Sequence, residues 1–227
     1  MTRAALERTT LGRDAYEAIR EMLVDEARFA AGEKISIEAL SRDLGISRSP
    51  VWAAVSRLEA EGLLQVVPRQ GVFVIAFDRA RVVAIFEARE ALEGMAARLA
   101  AQRMTADEHA VLDEALARQA RAVDRRDGDA YRIANLDFHH GLLAAARNTT
   151  IETSLRALYA QVQTMCAGGA SPTDDWERLG GNVAEHRQVF DRIAKRDADG
   201  AERAARTHVR QLLDTILVRA GGDRADT

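Results

Sequence analysis

Residues 37–64 read Ile-Glu-Ala-Leu-Ser-Arg-Asp-Leu-Gly-Ile-Ser-Arg-Ser-Pro-Val-Trp-Ala-Ala-Val-Ser-Arg-Leu-Glu-Ala-Glu-Gly-Leu-Leu, and residues 65–71 continue Gln-Val-Val-Pro-Arg-Gln-Gly. Ser36 is placed to cap a short helix from Ile37 to Leu44. Gly45 stops that helix, and Ile46 packs across the turn. Ser47 caps a second helix with Pro50 in its first turn, where a missing N–H does little harm. Ala39, Leu40 and Leu44 recur at helical spacing and face Val51, Val55 and Leu58. Two helices joined by a tight glycine turn make a helix-turn-helix, whose second helix enters the DNA major groove.

The flanks extend this unit. Gly62 ends the second helix as a C′ glycine. Leu64–Val67 and Val72–Ile75 are β-branched runs on either side of Pro68-Arg69-Gln70-Gly71, a hairpin signal. Helix-turn-helix followed by a hairpin is a winged helix. Upstream, Leu11, Ala15, Ile19, Met22 and Leu23 share one face of a helix expected over Leu11–Phe29. The winged domain is thus expected over residues 11–77, after a polar, disordered stretch at 1–10.

Leu44-Gly-Ile-Ser-Arg-Ser-Pro-Val51, then Arg57-Leu-Glu-Ala-Glu-Gly-Leu63, then Arg69-Gln-Gly71, resembles the GntR family of bacterial transcription regulators. The resemblance implies that Ser47, Arg48 and Ser49 meet DNA, that Gly71 in the wing tip approaches the minor groove, and that Arg57 and Arg69 belong to the same surface. Position 52 departs from the family, which usually has Arg followed by Glu; here Trp52 precedes Ala53. Trp52 either replaces a phosphate contact or packs against the wing.

Composition limits the alternatives. The chain has 227 residues, 32 basic and 35 acidic side chains and a net charge of -3. That is not the balance of a protein that coats nucleic acid, so DNA binding must rest on local placement of charge. Cys166 is the single cysteine, which excludes an intrachain disulfide and fits a reducing cytoplasm. Neither a signal peptide nor an apolar run of membrane-spanning length is visible, so no membrane partner is expected.

After Ile75 no strand pattern appears. Helices are expected at Asp78–Gln102, Thr105–Arg126 (with a Thr105/Glu108 capping box), Asp129–Ala146, Ile151–Ala167, Asn182–Lys195 and Asp199–Ala220. A loop is expected at Gly168–Gly181 and a disordered tail at 221–227. The fold class is therefore mainly α: a winged helix-turn-helix followed by an all-α bundle of about six helices over 78–220.

The bundle carries a second group of residues. Asn135 and His139 stand four apart on one helix, so they share a face. His186 and His208 lie on two later helices. Bundles build metal sites from facing helices, and three imidazoles with one oxygen suit Zn, Ni or a similar ion. Each histidine alone could equally be a hydrogen-bonded core or surface residue. Arg89 stands one turn before Glu93; it could clamp a ligand carboxylate bidentately, or simply pair with Glu93. His140 and His109 read as structural and solvent-facing, and Asp137 points away from His139.

Arg89-Glu-Ala-Leu-Glu93, then Asn135-Leu-Asp-Phe-His139, Asn148, Glu185-His-Arg187 and Ala201-Glu202 with His208, resembles the FCD ligand-binding domain of the FadR subfamily, in a six-helix form like the VanR branch. Metal-binding members of that family use Asp and His four apart and two later histidines. The matching positions here are Asn135, His139, His186 and His208, with an amide in place of the carboxylate. The resemblance implies a cytoplasmic one-component regulator that binds two-fold operator DNA as a homodimer. It also implies a divalent transition metal and a small carboxylate effector. Two other classes stay open on the residues alone: a hydrolytic enzyme with a three-histidine metal site, and a DNA-binding protein without an effector.

Overall fold

The structure, a computed structural model, describes residues 3–166 and 175–222, with side chains over 11–165 and 175–218. The chain divides into two compact units. The first is Met1–Phe77 with Ala157–Ser171, and the second is Asp78–Arg156 with Pro172–Thr227.

In the first unit the order is α1 (Arg3–Val24), β1 (Lys34–Ile35), α2 (Ile37–Asp43), α3 (Arg48–Ala60), β2 (Leu64–Val67) and β3 (Gly71–Val74). The three strands form one antiparallel sheet in the order β1-β3-β2, with Leu64 opposite Val74 and Lys34 opposite Phe73. Val72 and Val74 point inward while Gly71 and Phe73 point outward, the alternation of a half-buried strand. Ile19 and Leu23 of α1 are buried with Leu40, Val51, Val55, Leu58, Leu63 and Leu64, so one core sits under the helix-turn-helix and its wing. Ser36 caps α2 by accepting from the Ala39 N–H at 3.2 Å. Gly45 and Gly62 end α2 and α3 with φ of 64° and 73°, conformations that favour glycine.

Three expectations change here. The first helix starts at Arg3 and not Leu11, so 3–10 is helical backbone. It ends at Val24, five residues before the expected Phe29, and Ala27 turns the chain with a φ of 49°. β1 was not legible, because two residues carry no periodicity.

The second unit is helical: α4 (Arg79–Arg103), α5 (Ala106–Arg125), α6 (Gly128–Ala146), α7 (Thr149–Cys166), α8 (Trp176–Ala194) and α9 (Ala198–Gly222). These are six helices among the described residues, as the sequence predicts. Side-chain caps fix the starts. Asp78 accepts from the Arg81 N–H at 2.7 Å, and Thr105 and Glu108 close a capping box. Asp127 caps α6, two residues before the expected start. Asp175 caps α8, so Trp176–Gly181 is helix where a loop is expected; 168–174 lies outside the described residues. α9 runs to Gly222, which takes Gly221 and Gly222 out of the expected tail, and 223–227 lies outside the described residues. The chain is not partitioned quite as expected either. α7 from Ala157 onward groups with the first unit, where Ala160 joins the core and Gln161 Nε2 donates to the Glu61 carbonyl at 2.9 Å.

Two glycines let helices approach closely. A Cβ on Gly94 of α4 would lie 2.8 Å from Arg206 Cγ of α9, and one on Gly141 of α6 would lie 2.6 Å from Leu112 Cδ1 of α5. Leu112 is fully buried and cannot swing aside. Gly141→Ala should therefore cost about 1–3 kcal/mol of overpacking, more than the roughly 1 kcal/mol that alanine adds in helix propensity. Gly180→Ala on α8 is the control, because its nearest neighbour is 3.9 Å away, and denaturant titration should find it neutral or stabilising. Equal stability of the two variants would contradict close α5–α6 packing at Gly141.

Candidate metal centre and DNA-reading surface

On the first unit, Ser47, Arg48 and Ser49 are all exposed at the start of α3. Ser47 occupies the cap position in an extended conformation, but its hydroxyl makes no capping bond. The helix start, which attracts phosphate, is thus not occupied by its own cap side chain. Arg48 pairs with Glu38 of α2 at 3.2 Å, with both side chains largely in solvent. Such a pair is worth about 0–1 kcal/mol and yields readily to a phosphate or a base edge.

Trp52 follows one turn later, 42% exposed. It lines a groove of about 550 Å³ together with Ser36, Val66, Pro68 and Gly71, so it sits between α3 and the wing. Arg57 has partners inside the unit. Its guanidinium lies 3.6 Å from the Tyr16 ring centre and pairs with Glu61 at 3.3 Å, while the Tyr16 hydroxyl donates to the same carboxylate at 2.8 Å.

The wing tip is a tight turn in which the Gln70 N–H donates to the Val67 carbonyl at 3.1 Å. Pro68 takes the second turn position and Arg69 the third, with φ of 65°. That third position favours glycine, so an exposed arginine there is locally strained. Gly71 follows with φ of 125°, and a Cβ on it would meet Lys34 Cε at 2.9 Å. We expect Arg69→Gly to stabilise the isolated fold by up to about 1 kcal/mol while weakening DNA binding and flattening its salt dependence by roughly one unit. Thermal unfolding and a salt series of affinities check the two halves; a variant that binds DNA unchanged removes Arg69 from the interface.

On the second unit, His139 of α6, His186 of α8 and His208 of α9 bring one ring nitrogen each to within 4.8 Å of one another. His186 and His208 are buried, and His139 is partly so. His186 also stacks on Phe138, with centroids 4.6 Å apart. Asn135 lies one turn before His139 on α6 and is half-buried. Arg89 is buried and pairs with Glu93 at 2.8 Å, the intrahelical pairing that the spacing allows. Asp137 pairs with Arg118 instead of facing His139. His140 lies 3.1 Å from Arg156, and His109 rests on Phe190 rather than facing solvent freely.

Two partners that the sequence reading passed over fix the ring tautomers. Gln119 of α5 donates through Nε2 to the Ala134 carbonyl at 3.3 Å, which turns its Oε1 toward His186 Nδ1 at 3.0 Å. An amide oxygen only accepts, so His186 carries its proton on Nδ1. Glu185 Oε2 lies 2.6 Å from His208 Nδ1, and a carboxylate likewise requires the proton there. Both Nε2 atoms then present lone pairs, and these face each other at 3.2 Å.

A shared proton would relieve that contact only by making one ring an imidazolium. At His186 burial opposes this and pushes the ring well below the ordinary histidine range, with the neighbouring His208 adding to the shift. Burial likewise takes the nearby His139 down to about 4, an effect that Glu93 partly offsets. A divalent cation accepts such lone pairs without a proton. Neutral imidazoles with their second nitrogens hydrogen-bonded are the donor set that transition metals take. His139, His186 and His208 therefore fit a metal, and Gln119 and Glu185 fit its outer shell. Glu93 adds a buried negative charge. Burial alone would raise its carboxyl, yet Arg89 first and then the imidazoles hold it below the usual carboxylate range.

Gln119 had a signal in the sequence: it is the polar residue among Leu112, Ala115, Leu116 and Ala122 on the buried stripe of α5. Glu185 had none, because nothing in the spacing joins position 185 to position 208.

The histidine shifts set a pH dependence. His139 titrates near 4 in the folded, metal-free chain, against about 6.5 when unfolded. The unfolded chain then binds more protons between these values, so stability falls as pH drops through that window. Thermal unfolding of chelator-treated protein should show a decline in Tm that begins near pH 6.5, and His139→Gln should flatten it. An identical pH profile in the variant would mean that His139 is not buried neutral.

Comparison with known proteins places both units. The model for bacterial regulatory proteins of the gntR family matches residues 11–74, and that for the FCD domain matches residues 84–211. An uncharacterised HTH-type transcriptional regulator in an unstable DNA locus of Streptomyces ambofaciens is 33% identical over 90% of this chain and 84% of its own length. A probable D-xylose utilization operon transcriptional repressor of Paenarthrobacter nicotinovorans is 30% identical over 97% and 95%. The HTH-type transcriptional repressor RspR of Escherichia coli is 29% identical over 88% and 86%. Among solved structures, E. coli McbR/YncC shares the fold with a TM-score of 0.73 at 20% identity, covering 92% of this chain and 98% of that one. These relatives are regulators rather than enzymes, and among the described residues no helix is long and apolar enough to cross a membrane. The chain belongs to the GntR family of transcription regulators, with a winged helix-turn-helix followed by an FCD domain.

Proposed function

We propose that this regulator binds a divalent transition metal of the Zn or Ni class through His139, His186 and His208, binds a small carboxylate effector beside it, and thereby changes its affinity for operator DNA. The observation that carries the metal reading is the pair of Nε2 lone pairs 3.2 Å apart, with both Nδ1 atoms committed to acceptors. The metal supplies a positive charge at a buried site, where an anion gains most. Asn135 offers an amide oxygen where the family resemblance expects a carboxylate, so less of that charge is cancelled. Arg89 contributes a fixed guanidinium whose field reaches His139 and His186.

Operator recognition rests on Ser47, Arg48, Ser49 and Trp52 of α3 and Arg69 and Gly71 of the wing, with Arg57 bracing Tyr16 and Glu61. Two-fold operators mirror a homodimer, which supplies two such surfaces. An effector shifts operator affinity only by its differential affinity for the competent and incompetent states.

The test begins with genomic DNA fragments retained by the protein. On such a fragment, Arg48→Ala should lose about 1–3 kcal/mol of binding if Arg48 reads a base edge. His208→Ala should abolish metal binding, measured by metal analysis, and with it any response of the gel shift to organic acids. Unchanged operator affinity in Arg48→Ala would contradict the interface, and an acid response that survives in His208→Ala would contradict the metal-linked effector.

A further inference from the structure

The groove between α3 and the wing is set apart by its charge. Trp52, Val66 and Pro68 give it apolar walls, and Lys34 and Arg69 join the lining. Among the described residues none of its lining side chains is acidic, although the chain has 35 acidic and 32 basic residues. An apolar groove with cations and no carboxylate fits a polyanion that also carries apolar surface.

Lys34 is supported by the wing sheet. It stands on β1 opposite Phe73 of β3, and its ammonium lies 6.0 Å from the Phe73 ring centre. Its stem passes over Gly71, where a Cβ would meet Lys34 Cε at 2.9 Å and Nζ at 3.7 Å. The adjacent Glu33 turns its carboxylate to the Ala30 N–H at 2.8 Å. Among the described residues Lys34 forms no ion pair, so its charge is available to a ligand.

Trp52 stands four residues after Arg48 and three after Ser49, so these three share one face of α3. Val51, Ala54, Val55 and Leu58 fill the buried face. An indole has no charge to offer a phosphate, but its flat apolar surface suits a sugar ring.

With α3 in the major groove and the wing tip at the adjacent minor groove, one sugar–phosphate strand runs between them. We propose that the groove between α3 and the wing seats that strand, with Lys34 Nζ on a phosphate and the Trp52 indole against the neighbouring deoxyribose. The inference rests on the DNA-reading surface proposed above and adds Lys34 to it. Both contacts touch parts of DNA that are alike at every step, so they position the protein without reading sequence. Discrimination is left to residues such as Arg48 that reach base edges.

Affinity is measured across a salt series for a genomic fragment that the protein retains and for a random-sequence duplex of equal length. Lys34→Gln should weaken binding to both by the same factor, about tenfold at low salt, and flatten the salt slope by about one unit per protomer. Lys34→Arg keeps the charge and should keep the slope. Trp52→Ala should weaken both duplexes about threefold at an unchanged slope, since only apolar contact is lost. Arg48→Ala should lose more on the genomic fragment than on the random duplex. Replacing phosphates of the fragment one at a time by neutral methylphosphonates should find one position per half-site whose effect disappears in Lys34→Gln.

An unchanged affinity and slope in Lys34→Gln overturns the strand seat, as does a loss confined to the genomic fragment. Exchanging thymine for uracil in the fragment removes only a methyl group. If that weakens wild type but not Trp52→Ala, Trp52 reads a base and its part in the seat is overturned. If Arg48→Ala weakens binding while Lys34→Gln does not, the DNA-reading surface stands and only the seat fails. If neither variant weakens binding, the surface itself fails and the seat with it.

Discussion

The Nε2 atoms of His186 and His208 face each other at 3.2 Å and join α8 to α9 at the centre of the histidine cluster. Neither ring can turn its proton inward, because Gln119 and Glu185 each accept from an Nδ1. Gln119 is itself fixed by the Ala134 carbonyl, so the constraint reaches from α5 through α6 to α8 and α9. A polar arrangement of this kind is costly inside a core unless a further partner completes it. The buried Arg89–Glu93 pair belongs to the same economy. An ion pair so deeply placed is weak evidence for stability, since desolvation offsets most of its attraction. Its more telling feature is position: Glu93 places negative charge near His139 and His208, and Arg89 balances it.

The DNA-reading unit shows a different trade. Its core is apolar and continuous, and its caps and turn glycines agree with its pattern. Departures from local preference occur on the surface proposed to meet DNA. Ser47 gives up its capping bond, Trp52 stands 42% exposed, and Arg69 takes a conformation suited to glycine. Strain and exposed aromatic surface concentrated on one face, above a well-ordered core, are what a binding surface produces when its residues are chosen for the partner.

How much of this was legible in the sequence depended on whether the signal was local. Gly45, Gly62, Ser36 and the alternation of β3 each act within a few residues, and the helix-turn-helix could be drawn from them. The Thr105 capping box and the Asp78 cap were equally plain. Boundaries without such punctuation moved: α1 extends back to Arg3, and α8 starts at Trp176 because Asp175 caps it across a stretch that reads as a loop. The three histidines were readable as candidates, because a family pattern joins positions far apart. Their hydrogen-bond partners were not. Glu185 meets His208, and Gln119 meets His186, across helix pairs whose register only packing decides.

The proposed function depends on a metal held by the three imidazoles. X-ray absorption spectroscopy of the zinc-loaded protein measures this directly. It should show first-shell scatterers at the Zn–N distance of about 2.0–2.1 Å with the outer-shell pattern of roughly three imidazole rings, and His186→Ala should remove that pattern. A wild-type spectrum without imidazole scattering, or one identical in His186→Ala, would contradict it.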